Sequence, residues 1–242
     1  MATGKTHARF MRLIVDGVDL SGDTRQVGEF GVTYDTAECT GWSDGVKNFT
    51  LGHANHLLNG YQAVFNNTAA TGSHTELSAI EEYIISLPIG MRAAPAVGDP
   101  AFLQSFEQMS YTVEGVDAVL ISAGFSKAIT DNDHEKPFGV TLAPGTSLSA
   151  TTNGTSVDNG ASSANGLLAH IHVTATSSGS WALKIQDSAN DSTWADLITF
   201  SADGSAITAE AADVTGTVDR YLRFQATRTS GTTSFWVTSA RQ

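Results

Sequence analysis

Cations are scarce in this chain. Over 242 residues, 13 Lys and Arg stand against 25 Asp and Glu, a formal net charge of −12. That balance excludes a grip on nucleic acid through phosphate neutralisation. It does not exclude an acidic wall past which a polyanion slides. Cysteine is nearly missing as well: Cys39 stands alone, so no intrachain disulfide forms and nothing calls for an oxidising compartment. Long apolar runs are lacking. The opening MATGKTHARFMRLIVDG holds a short apolar stretch broken by Arg12, too short for a signal segment or a membrane span. The expectation is a chain made in a cytosol, with no membrane partner. Catalytic patterns are lacking too. There is no G-x-S-x-G and no H-E-x-x-H, Cys39 has no evident histidine partner, and Glu81-Glu82 is a pair any acidic chain contains. Gly4-Lys5-Thr6 is similar to the end of a phosphate loop but lacks the upstream glycine and a preceding strand. No catalytic residue, cofactor or metal site is expected.

What is present is turn and strand material. Apolar residues make up 41% of the chain and charged residues only 16%, with Gly, Ser, Thr and Ala abundant, a composition suited to many short strands. Phe10 to Val15 reads as a buried strand, and DGVDLSGDTRQ (16–26) as a run of turn formers. Phe30, Val32 and Tyr34 alternate with Gly31, Thr33 and Asp35, the period of a strand buried on one face. TAECTGWSDGV (36–46) reads as a polar loop or hairpin tip carrying Trp42. Leu57, Leu58, Tyr61, Val64 and Phe65 form one stripe at helical spacing, which predicts a helix weakened by Gly60. Ser73 and Glu76 have capping-box spacing, so Leu77 to Ile84 reads as helical or as a strand from about Glu82, with the β-branched residues favouring the strand. Phe102–Val113 and Asp117–Ser126 read as two strands around Glu114-Gly115.

Composition shifts after Lys136-Pro137. Residues 142–165 are mostly small and polar, either a flexible linker or a weak strand between the turns Asn153-Gly154 and Asn159-Gly160. From Gly166 onward strand and turn alternate, most clearly in SWALKIQDSANDSTWADLITF (180–200). Leu167, Ala169, Ile171 and Val173 share one face and His170, His172 and Thr174 the other; Phe235 and Val237 oppose Trp236. This predicts an antiparallel sandwich with one face in solvent. The expected division is 1–138 and 139–242. The first part carries 8 basic and 17 acidic side chains, the second 5 and 8, so the acidity belongs mainly to the first.

Four constellations could hold a ligand, each beside a plainer reading. His53 and His56 would share a helix face, yet a metal needs further ligands; loop histidines are the alternative. His170 and His172 share a sheet face and read as exposed polar positions. Asp131, Asp133 and Glu135 open like a calcium loop that Pro137 then interrupts, and Asp187, Asn190 and Asp191 read as an Asx-rich turn. Trp42, Trp194 and Trp236 are either sugar-stacking platforms or core residues.

Residues 10 to about 128 resemble the major tail tube proteins of long, non-contractile-tailed bacteriophages. The stretches that carry the resemblance are LIVDGVDLSGDTRQVGEFGVTYD, TGWSDGVKNFTLG, the expected helix, and VGDPAFLQSFEQMSYTVEGVDAVLISAGFSKA. NGTSVDNGASSANGLLAHIHVTA, IQDSANDSTWADL and GTVDRYLRFQATRTSGTTSFWV resemble the extra β-domain that many such proteins append. The resemblance implies a mainly β fold: a tail-tube-type sandwich or barrel with one α-helix in 1–138, and an antiparallel sandwich in 139–242 on the tube exterior. It implies self-assembly into stacked, usually hexameric rings in the virion tail, put together in the bacterial cytoplasm. The tape measure, tail tip and terminator proteins would be partners, and double-stranded DNA would pass an acidic lumen without specific binding. A loop from about Asp35 to Val46 would reach the next ring, with Asp35, Thr36, Thr40, Trp42, Ser43 and Asp44 as contacts. The arm ending at Arg9 would lie across a neighbour's acidic surface. Two other readings stand beside it: a capsid decoration or minor tail protein, and a monomeric carbohydrate-binding module using Trp194 and Trp236.

Overall fold

The computed structural model describes residues 5–115, 117–128, 136–177 and 179–242. Asp131, Asp133 and Glu135, the calcium-loop candidates, lie outside the described residues. In chain order the elements are β1 (Ile14–Val15), β2 (Val18–Asp19), β3 (Thr24–Gln26), β4 (Glu29–Glu38), β5 (Phe49–Val64), α1 (Ser73–Leu77), β6 (Glu82–Pro88), β7 (Pro100–Gly115) and β8 (Val119–Lys127). They continue with β9 (Phe138–Leu148), β10 (Thr152–Asn153), β11 (Val157–Asp158), β12 (Leu167–Thr176), β13 (Ser180–Ser188), β14 (Ala195–Thr199), β15 (Thr208–Val214), β16 (Tyr221–Ser230) and β17 (Thr233–Arg241). The fold is mainly β with antiparallel pairing and, among the described residues, a single short α-helix.

One twelve-stranded sheet runs β15-β12-β17-β9-β7-β6-β1-β2. It forks at β7. Pro100–Phe102 pair with β9, whereas Phe106–Gly115 pair with β8, which passes the sheet on to β5 and from there to β3 and β4. A five-stranded sheet, β10-β16-β13-β14 with β11 beside β16, covers the β12–β17 face.

Two apolar cores result. The first gathers Leu58, Tyr61, Tyr83, Ile85, Phe102 and Phe106 around Phe125, whose ring centroid lies 6.2 Å from Tyr61 and 6.3 Å from Tyr83 at edge-on angles. The second packs Ile171 and Val173 against Trp181, Leu183, Phe224 and Phe235. Each large side chain buried this way contributes roughly 1.5–3 kcal/mol.

The stripe at 57–65 is a strand, not a helix. Along β5, Leu58 faces the core; the pairing with β8 then slips by one residue between Leu58 and Tyr61, so Tyr61 and Ala63 face the core again. A bulge on a strand thus reproduces the i, i+3 spacing of a helix. The single helix lies further on. Ser73 begins it from its first turn, donating its hydroxyl to the Val64 carbonyl at 2.8 Å, and Gly72 rather than Ser73 occupies the cap position. The strand expected from Glu82 is present as β6. Residues 142–165 hold the end of β9 and the short strands β10 and β11.

The solvated face expected for β12 is covered. His170 and His172 are fully buried, together with Thr238 of β17 and Ser86 of β6. The apolar sides of β12 and β17 already face the five-stranded sheet, so their polar sides meet the outer face of β6 and the β1–β2 turn. An unpaired imidazole would be costly there, and His172 meets the cost with hydrogen bonds at both ring nitrogens. The Gly17 N–H donates to His172 Nδ1 at 3.3 Å, and His172 Nε2 lies 2.9 Å from the Ser86 hydroxyl. That hydroxyl also lies 2.9 Å from Thr238 Oγ1.

Candidate assembly surface

The most exposed feature of the molecule is the β4–β5 hairpin. The two strands pair from Glu29↔Asn59 to Glu38↔Phe49. Phe30 packs on the first core, but residues 33–38 of β4 and 49–53 of β5 are exposed. Both faces of the ribbon therefore stand clear of the body over about 20 Å at the usual rise per residue. An isolated two-stranded ribbon is marginal in water, yet this one bears apolar side chains. Leu51 and Phe49 sit two apart on one face with relative exposures of 69% and 58%, and Val46 and Trp42 at the tip reach 73% and 108%.

The tip itself is ordered by its own polar groups. The Cys39 N–H donates to the Asn48 carbonyl, and the Asn48 N–H to Thr40 Oγ1 at 3.0 Å. The Gly41 N–H and the Asn48 side-chain amide both donate to Asp44 Oδ2, at 2.7 and 2.8 Å. Lys47 pairs with Glu38 at 3.1 Å on the surface. Thr40 and Asp44 are thus the residues that shape the loop, and Trp42 is the side chain the loop presents. Asp35 and Thr36 belong to the edge strand β4, and Ser43 to the exposed turn.

Arg9 lies elsewhere, in a single 3₁₀ turn (Ala8–Phe10), its guanidinium 4.5 Å from the centre of the Phe10 ring. It lines a cleft of about 420 Å³ between that turn and β3, together with Arg12 and Arg25; Met11, Leu13 and Val27 supply apolar wall. Among the described residues, no carboxylate lines it. Sequence reasoning misses Arg12 and Arg25, because only the pairing of β3 with β5 and of β1 with β6 brings them beside Arg9. Their rarity in an acidic chain is the one signal that points to them.

A third feature is charge along the sheet β4-β5-β8-β7. These four strands contain one cation, Lys127 at the end of β8, against Glu29, Asp35, Glu38, Glu107 and Glu114. Cross-strand neighbours Gln62, Ser122 and Thr112 continue the face that points away from the core, and all are uncharged.

The remaining candidates do not converge. His53 is exposed, while His56 is buried in the first core with Nδ1 against Gln104 Oε1. His170 and His172 are partners in the buried seam, not exposed positions. Asn190 Oδ1 accepts from Ser192 and Thr193 backbone N–H groups at 3.1 and 2.9 Å, an Asx turn as expected, and Asp187 Oδ2 accepts from the Asp219 N–H. No group of three or more His, Cys, Asp or Glu is placed to hold a metal among the described residues. Trp236 is buried, with 7% exposure, and the Arg223 guanidinium lies 4.2 Å over the half-buried Trp194 ring. The buried Trp236 offers no exposed ring for sugar stacking, and Arg223 occupies one face of Trp194.

No protein-family model matches the chain, and no curated protein matches it. Among solved structures it is similar to the Dit protein (gp 19.1) of SPP1, described as a paradigm of the hub adsorption apparatus in Gram-positive-infecting phages. The likeness covers 96% of this chain and 99% of that one, at 11% identity and a TM-score of 0.35. A similarity of that size transfers neither fold nor role to this chain.

Proposed function

We propose that this chain is a structural, non-enzymatic subunit of a phage tail that assembles with copies of itself into stacked rings, forming a tube through which DNA passes. The observation that carries the reading is the β4–β5 arm. A ribbon that holds Trp42, Val46, Phe49 and Leu51 in water is poorly accounted for in a monomer and well accounted for as a contact with another copy. It falls on the segment that the resemblance to tail tube proteins assigns to ring contact.

The acidic, nearly cation-free sheet β4-β5-β8-β7 supports the second half of the reading. A wall carrying Glu29, Glu107 and Glu114, with Lys127 its one cation, repels phosphate and gives DNA nothing to grip. In this reading residues 1–138 build the tube and 139–242 form its exterior, with tape measure, tip and terminator proteins as further partners in the virion tail. The rings are hexameric as in the family resembled.

Negative-stain microscopy of the purified protein, fresh and after concentration, tests the proposal. Rings or striated hollow tubes are expected. Small compact particles at every concentration overturn it and turn attention to a decoration or minor tail role.

A further inference from the structure

The arm and the arginine cleft lie at opposite ends of one strand. Phe49 starts β5 beside the hairpin tip, and at its other end Gln62 and Ala63 pair with Gln26 and Thr24 of β3, which line the cleft. Gln62 lies thirteen positions after Phe49, so the tip and the cleft are roughly 40 Å apart at the rise of an extended strand. A contact between them within one molecule is out of reach. A contact between two molecules is head-to-tail, the kind that closes into rings or runs on as a filament.

The two surfaces match in chemistry. The cleft brings together three guanidiniums, none of them ion-paired to a carboxylate among the described residues, above an apolar wall of Met11, Leu13 and Val27. The arm carries Asp35, Glu38 and Asp44 against the single cation Lys47, together with the most exposed indole in the chain. A cavity of about 420 Å³ falls in the range that takes up a bulky aromatic group. In a chain of net charge −12, three arginines side by side with no carboxylate partner among the described residues favour an anionic partner.

We propose that the cleft lined by Arg9, Arg12 and Arg25 is the acceptor for the β4–β5 hairpin tip of a second copy, with Trp42 seated on the apolar wall and the arm's carboxylates facing the guanidiniums. The inference rests on the self-assembly reading above and adds the surface on which the arm lands. It assigns Arg12 and Arg25 an intermolecular role and makes the interface heterologous.

The test is a photo-crosslink on the full-length chain. The photoreactive residue p-benzoylphenylalanine is placed at position 46, leaving Trp42 intact, and the concentrated protein is irradiated and digested. The expected product joins the tip to the segment 7–27 of another copy, and its yield falls at least tenfold in the double variant Arg9→Glu, Arg25→Glu, both positions being exposed. Crosslinks to some other surface of a second copy overturn the docking site and leave self-assembly standing. An absence of intermolecular product, with the protein sedimenting as a monomer, overturns both. An unchanged yield in the double variant overturns the electrostatic match alone.

Discussion

The Gly17 backbone N–H donates a hydrogen bond to His172 Nδ1 at 3.3 Å, across 155 positions of sequence. The contact fixes the imidazole. A backbone N–H only donates, so Nδ1 is the bare nitrogen and Nε2 carries the proton toward Ser86. It also ties the β1–β2 turn of the first core to β12 of the second, where the imidazole, the serine and Thr238 form a buried polar seam.

Gly17 is held there by sterics as well. Its φ is +91°, and a Cβ would come within 2.7 Å of the Val173 carbonyl oxygen and 2.8 Å of that of Thr208. Gly17→Ala therefore meets both an unfavourable backbone conformation and backbone atoms that cannot move aside. A loss of about 2–4 kcal/mol is expected, read as a fall in the midpoint of denaturant unfolding with the slope unchanged.

His172 predicts a loss of stability on acidification. Burial, and the neighbouring His170, hold its pKa well below the ordinary 6.5. As pH falls through 6.5, the unfolded chain takes up a proton that the folded chain refuses, so unfolding becomes easier from there downward. His172→Gln, which keeps an acceptor and a donor, flattens that part of the profile. Unfolding midpoints between pH 7.5 and 5 for the two proteins check the prediction, and equal slopes refute it.

Glu76 acts in the opposite direction. Burial, and the nearby Asp16 and Glu81, push its carboxyl up to about 7 from the ordinary 4.5. Above pH 7 the folded state holds this charge less readily than the unfolded chain does; protonation between pH 7 and 4.5 relieves the difference. Glu76→Gln is expected to gain about 1 kcal/mol at pH 8 and nothing at pH 4. The gain is kept well below the full shift because the side chain is partly in solvent. Chemical denaturation at the two pH values separates this effect from that of His172.

Much of the architecture can be read in the residues, and the failures have identifiable causes. Alternation locates β4 and β13, since a strand without an inserted residue writes its period of two directly into the sequence. β5 defeats that reading because its bulge shifts the period between Leu58 and Tyr61 and imitates a helix. His170 and His172 resemble a wet face because alternation shows that a face is polar and not whether something covers it; the cover comes from Ser86 and Gly17. The arm's tip is legible from Trp42 amid turn formers. The arginine cleft is not, because its walls come from a 3₁₀ turn and a three-residue strand with no pattern of their own.

Trp42→Ala separates folding from assembly. The side chain is fully exposed, so its removal changes unfolding stability by no more than about 0.5 kcal/mol. If the arm docks on a second copy, the same change removes the anchor between them. Circular dichroism and thermal unfolding should match the unaltered protein while self-association is lost.

Sedimentation velocity over a wide concentration series, on the unaltered chain and on Trp42→Ala side by side, tests self-assembly through the arm most directly. The unaltered 25.4 kDa chain is expected to pass into discrete larger species as concentration rises, while Trp42→Ala remains a single monomer boundary. A monomer boundary for both at every concentration, or identical assembly by both, contradicts assembly through the arm.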